Sequence, residues 1–104
     1  MNRQQLFEMH IQMCDEALNL MRRKNADYAG SGGENPFANF TRSEAMGLCS
    51  TEVGFLVRMT DKMSRLSSYV ESGKLLVEDE SVNDTLIDLI NYSVLLAGYI
   101  KSKQ

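Results

Sequence analysis

The sequence predicts an all-α fold, a small antiparallel bundle of three long helices plus one short helix. Three observations carry this. Apolar residues recur at the helical period in three separate stretches. Start and stop residues bracket those stretches where a helix needs them. No stretch alternates apolar and polar residues as a half-buried strand would, and no internal repeat or low-complexity tract appears.

The first helix is predicted from Arg3 to Lys24. Leu6, Met9, Met13, Ala17, Leu20 and Met21, with His10 and Cys14 beside them, form its apolar stripe. His10 is expected to be partly buried and hydrogen-bonded, and Cys14 to pack in the core. Arg22, Arg23 and Lys24 fall in the last turn, where positive charge suits the helix dipole. Residues 25–40 then hold three glycines and the sole proline, which predicts a loop of functional length. Gly30, Gly32 and Gly33 do not form a phosphate loop, because no Gly-Lys-Ser/Thr follows them. A short helix from Arg42 to Met46 should end at Gly47.

A longer helix follows, capped by Ser50 or Thr51, running to Glu71 and stopped by Gly73. Phe55, Leu56, Met59, Met63, Leu66 and Val70 make its core face, while Arg58, Asp61, Lys62 and Arg65 lie opposite. Residues 73–80 read as an acid-rich turn. The last helix starts near Glu80 or Ser81 and runs to Lys101, with Ser81 and Asp84 spaced as a capping box.

Length and charge bound the function. With 104 residues the chain makes one domain, residues 1–104, with a modest core. Its 43% hydrophobic and 24% charged residues are ordinary for a soluble globular protein. The net charge of −3 argues against a nucleic acid polymer as partner, which needs a basic surface. It leaves room for a small nucleotide on a local cationic patch. Apolar runs are too short to span a bilayer, no leader is apparent, and the two cysteines lack metal-motif spacing, so the expected setting is cytoplasmic. A lone histidine makes zinc an unsuitable cofactor. The last helix is apolar almost all round, more than one neighbour covers, which predicts a homo-oligomer.

That helix also carries the chemistry. On the helix wheel Asp84, Asp88 and Asn91 fall within about 60° of one another. The preceding helix, antiparallel across a short connection, brings Asp61 toward them. Converging carboxylates suit Mg²⁺ or Mn²⁺. They equally suit ion pairing with Arg58, Lys62 and Arg65 across the interface, and Asp84 has capping to do. The cationic row itself fits either a triphosphate or a solvated face. In the loop, Lys24, Asp27, Tyr28, Asn39 and Phe40 offer stacking and amide readout of a base, or turn chemistry and core plugging.

Lys24-Asn25-Ala26-Asp27-Tyr28, Asn39-Phe40, Val57 through Leu66, and Glu80 through Tyr92 together resemble a phage-associated family, nucleotide-modification-associated domain 1. The resemblance covers most of residues 20–97 and implies a nucleotide-handling protein, acting in the host cytoplasm if phage-encoded. More distantly, Asp88-Leu89-Ile90-Asn91-Tyr92 is similar to the second acidic motif of the all-α MazG and dimeric dUTPase pyrophosphohydrolases, with Asp61 matching an acid of the first motif. That resemblance implies catalysis by Asp61, Asp84 and Asp88 holding Mg²⁺ or Mn²⁺ for hydrolysis of the α–β phosphoanhydride of a modified deoxynucleotide. Arg58, Lys62 and Arg65 would neutralise the phosphates, while Asn91 and the loop residues contact the nucleotide. The chain departs from that pattern at Arg58, where the first acid belongs, and at Thr85, with Asp84 displaced by one position. These departures keep two alternatives open: a nucleotide-binding module without catalysis, such as a sensor or sponge, and a helical interaction protein whose acids are only ion-paired.

Overall fold

The computed structural model describes residues 1–28, 35–73 and 81–104, excepting the side chains of 26–28. The loop glycines and the acidic turn therefore lie outside the described residues. Four helices follow in order: α1 (Arg3–Tyr28), α2 (Ala38–Ala45), α3 (Thr51–Ser72) and α4 (Val82–Ser102). Strands are absent among the described residues. None of the described helices is long and apolar enough to cross a membrane.

The start and stop signals act as the sequence predicts. The Ser50 hydroxyl accepts from Val53 N–H at 3.1 Å, and Gly73 closes α3 in the left-handed conformation at φ 76°. Ser81 and Asp84 form a reciprocal capping box on α4. Two boundaries differ. α1 continues past Lys24 to Tyr28, because Asn25, Ala26, Asp27 and Tyr28 include no glycine or proline to stop it. α2 starts four residues earlier than expected. Asn35 Oδ1 accepts from Phe37 N–H at 3.0 Å, a turn that launches a helix just after Pro36.

α4 is the central element, with α1 on one side and α3 on the other; α2 packs against α3. α3 and α4 run antiparallel, since Lys62 meets Asp88 near the middle and Glu52 meets Lys103 at the end. An aromatic cluster joins α2 to both. Phe40 stacks on Phe55 with ring centroids 3.8 Å apart and meets Tyr92 edge-on at 6.0 Å, while Phe37 meets Tyr99 edge-on at 5.6 Å.

The core is small. Among the described residues only Ala17, Phe40, Phe55 and Ile87 are buried apolar residues. His10 and Cys14 do not pack in it as periodicity predicts; both are exposed, with Cys14 Sγ 3.7 Å from His10 Nδ1. Among the described residues nothing covers this face of α1, whose residues 3–12 are exposed throughout. α4 is likewise not covered all round: Leu86, Val94 and Ile100 remain exposed. The radius of gyration is 15.5 Å, against about 13 Å for a compact chain of this length.

Candidate functional site

All four helices contribute to one cavity of about 120 Å³. α1 supplies Met21, Lys24 and Asn25 from its C-terminal half, and α2 supplies Asn39 and Phe40, with Pro36 just before it. Arg58 comes from α3. α4 presents Asp88, Asn91, Tyr92 and Leu95, residues three or four apart and hence on one face.

Asp88 is the electrostatic centre. Its carboxylate is 2.8 Å from Lys62 Nζ and 3.5 Å from Lys24 Nζ. Asp88 and Lys62 are largely withdrawn from water, with side chains 13% and 11% exposed. A carboxylate so placed requires compensation, and the lysines supply it. Lys62 is not part of the cavity wall; Lys24 and Arg58 are. The wall thus carries two cations and one carboxylate in a chain of net charge −3.

Asn91, 8% exposed, donates from Nδ2 to the Ala17 carbonyl at 2.9 Å and so ties α4 to α1 beside the cavity. Phe40 is 6% exposed and serves as packed wall rather than a free stacking platform. The Arg58 guanidinium carbon lies 5.9 Å from its ring centroid, a cation–π contact that holds an exposed arginine over the cavity.

The predicted acids are thus dispersed. Asp61 is 61% exposed and pairs with Arg65 at 3.4 Å along α3. Asp84 is taken by the cap: Ser81 N–H donates to its Oδ2 at 3.0 Å, and this hydrogen bond chiefly holds its carboxyl below the usual range. Among the described residues, no three His, Cys, Asp or Glu side chains gather where they would share a metal ion. As arranged, Asp61 pairs with Arg65, Asp84 caps α4 and Asp88 pairs with Lys62 and Lys24. Lys24, Asn39, Phe40, Arg58, Asp88 and Asn91 do line one cavity. The side chains of Asp27 and Tyr28 lie outside the described residues. Sequence reasoning missed Tyr92, Leu95, Met21 and Pro36 as wall residues. For Tyr92 and Leu95 a signal existed, since they stand four and seven residues after Asp88 on its helix face.

The sequence pattern of the family described as nucleotide modification associated domain 1 matches residues 24–97. The chain belongs to that family. Every wall residue of the cavity but Met21 falls inside the matched segment. No curated protein and no solved structure matches the chain. In this member of the family, the N-terminal 23 residues precede the match and include the exposed half of α1.

Proposed function

We propose that the chain binds a small nucleotide in the cavity between its four helices. The observation that carries this reading is the wall itself. Two cations, Lys24 and Arg58, stand beside amide and aromatic groups, all within the family-matched segment. Arg58 offers a planar fork for phosphate, and Lys24, half exposed at 46%, offers a mobile point charge. Asn39 carries the donor and acceptor groups that read a base edge, Asn91 holds α1 against α4 beside it, and Tyr92 adds an aromatic surface. Whole-ligand pockets usually measure about 300–1,000 Å³. The 120 Å³ cavity takes one moiety, and the rest of the nucleotide extends over its mouth toward the cations. The family description concerns nucleotide modification, so modified deoxynucleotides head the candidates.

A second reading, the Mg²⁺- or Mn²⁺-dependent pyrophosphohydrolase, draws on Asp88, a carboxylate on the cavity wall. It requires Lys62 to release Asp88 and Asp61 to leave Arg65. Calorimetry against ordinary and modified nucleotides, with Mg²⁺ and with chelator, separates the readings. For the binding module, Arg58→Met and Lys24→Met each weaken binding about tenfold or more, one lost charge-assisted contact apiece. Asp88→Asn keeps or tightens it, because a negative charge leaves the neighbourhood of an anion. For the hydrolase, Asp88→Asn abolishes metal-dependent pyrophosphate release. Absence of binding to every nucleotide in the panel refutes both.

A further inference from the structure

Asn91 presents the cavity with an acceptor that the described fold does not use. The residue is 8% exposed, and its amide nitrogen donates to the Ala17 carbonyl at 2.9 Å. That bond fixes the orientation of the amide, because a carbonyl oxygen only accepts. Oδ1 is the other end of the group, and among the described residues nothing donates to it. No buried side-chain polar atom among the described residues is sealed off without a partner, so Oδ1 opens on the cavity that Asn91 lines. An acceptor so far withdrawn from water is disfavoured until a donor reaches it. Asp88, three residues earlier on the same face of α4, is a second acceptor, its carboxylate held by Lys62 and Lys24. The α4 side of the cavity therefore calls for a hydrogen-bond donor. Arg58 calls for the opposite. It is exposed and has no carboxylate partner among the described residues, so the anionic end of a ligand belongs with it.

Size and shape narrow the donor. Met21, Phe40, Tyr92 and Leu95 give the cavity apolar walls that suit the faces of a flat ring. A cavity of about 150 Å³ accommodates benzene. This one measures about 120 Å³, room for one six-membered ring and too little for a whole fused purine. Among single-ring bases, cytosine carries an amine, a donor, where thymine and uracil carry a carbonyl oxygen. A carbonyl there would meet only the acceptors Asn91 Oδ1 and Asp88. On the nucleotide reading of the cavity, on which this rests, we propose that the enclosed group is a cytosine-type base whose 4-amine donates to Asn91 Oδ1, with the phosphates outside toward Arg58. Asn39, whose side chain makes no hydrogen bond among the described residues, is free to meet the remaining polar edge of the ring.

Calorimetry should compare dCTP with dUTP, dATP, dGTP and the dCTP analogue whose pyrimidin-2-one ring lacks the 4-amine. dCTP should bind about tenfold to a hundredfold more tightly than dUTP or the analogue, the difference of one enclosed hydrogen bond. Both purine nucleotides should bind more weakly than dCTP. In Asn91→Leu, measured where circular dichroism shows it folded, the preference for dCTP over the analogue should vanish. The wild-type comparison of those two ligands decides even if loss of the Ala17 bond unfolds that variant. Equal affinities for dCTP and the analogue, dUTP or a purine binding as tightly as dCTP, or a preference that survives in folded Asn91→Leu overturns the proposal and leaves nucleotide binding standing. Binding of no nucleotide at all overturns both.

Discussion

Severing Lys62 from Asp88 tests the electrostatic centre of the cavity. The two side chains are 11% and 13% exposed and 2.8 Å apart. Loss of one member of a fully buried pair costs about 3–5 kcal/mol, since the survivor is left uncompensated. An exposed pair is worth about 0–1 kcal/mol. Asp88 sits between these limits, nearly buried but still reached by Lys24 at 3.5 Å. Lys62→Met is therefore expected to cost about 2–3 kcal/mol. Adding Asp88→Leu should restore much of this, because an apolar pair of similar volume needs no compensation, giving a coupling of about 1–2 kcal/mol in the double-mutant cycle. Urea unfolding followed by circular dichroism, at one fixed protein concentration and with m compared across the variants, measures it. A coupling below about 0.5 kcal/mol would mean that the ion pair does not hold Asp88, and the account of the cavity would fail. A strong coupling means that any cation binding Asp88 must first displace Lys62.

Two further outcomes follow from the helix ends and the core. Ser81→Ala should cost about 1 kcal/mol by removing half of the α4 capping box, read from urea midpoints. The Ser81 backbone hydrogen bond depresses the Asp84 carboxyl from its usual 3.8, so its stabilisation is full above that value and lost as pH falls through the depressed one. The stability gap between wild type and Asp84→Asn should accordingly be constant near neutrality and close in acid; a gap that persists in acid refutes the capping account. Phe55→Ala should cost about 3–5 kcal/mol, because this ring is wholly buried and supports the stacked Phe40 of the cavity wall. A loss under about 1 kcal/mol would show that the aromatic cluster is not what anchors α2.

The helix limits were legible wherever the signal was local. Ser50, Gly73, Ser81 and Asp84 act through atoms within four residues of themselves, so spacing alone finds them. The acids of the candidate site were legible only in part. Periodicity puts Asp84, Asp88 and Asn91 on one side of α4, yet each ends with a different kind of partner: a cap, two lysines, and a carbonyl of α1. Lys62 was readable as a cross-helix partner because α3 and α4 are antiparallel neighbours. Lys24 was not, since the same residue equally suits a helix C-terminus. His10 and Cys14 mark the other limit. A helical period reports which residues share a face, and says nothing of whether another element of the same chain covers that face.

That limit also explains how one helix carries two separable surfaces. The cavity takes Met21, Lys24 and Asn25 from α1, while Phe7, Ile11, Cys14 and Leu18 stand exposed on another face of the same helix. Between them Ala17 accepts the Asn91 hydrogen bond, which fixes α1 against α4 within the protomer. The C-terminal half of α1 packs on α4 through this bond, whereas residues 3–12 are exposed among the described residues. Lys24→Met should lower nucleotide affinity, whereas Ile11→Asp, on the exposed face of α1 away from the cavity, should leave it unchanged. If Ile11→Asp abolishes binding while its helicity is intact, the two surfaces of α1 are not separable.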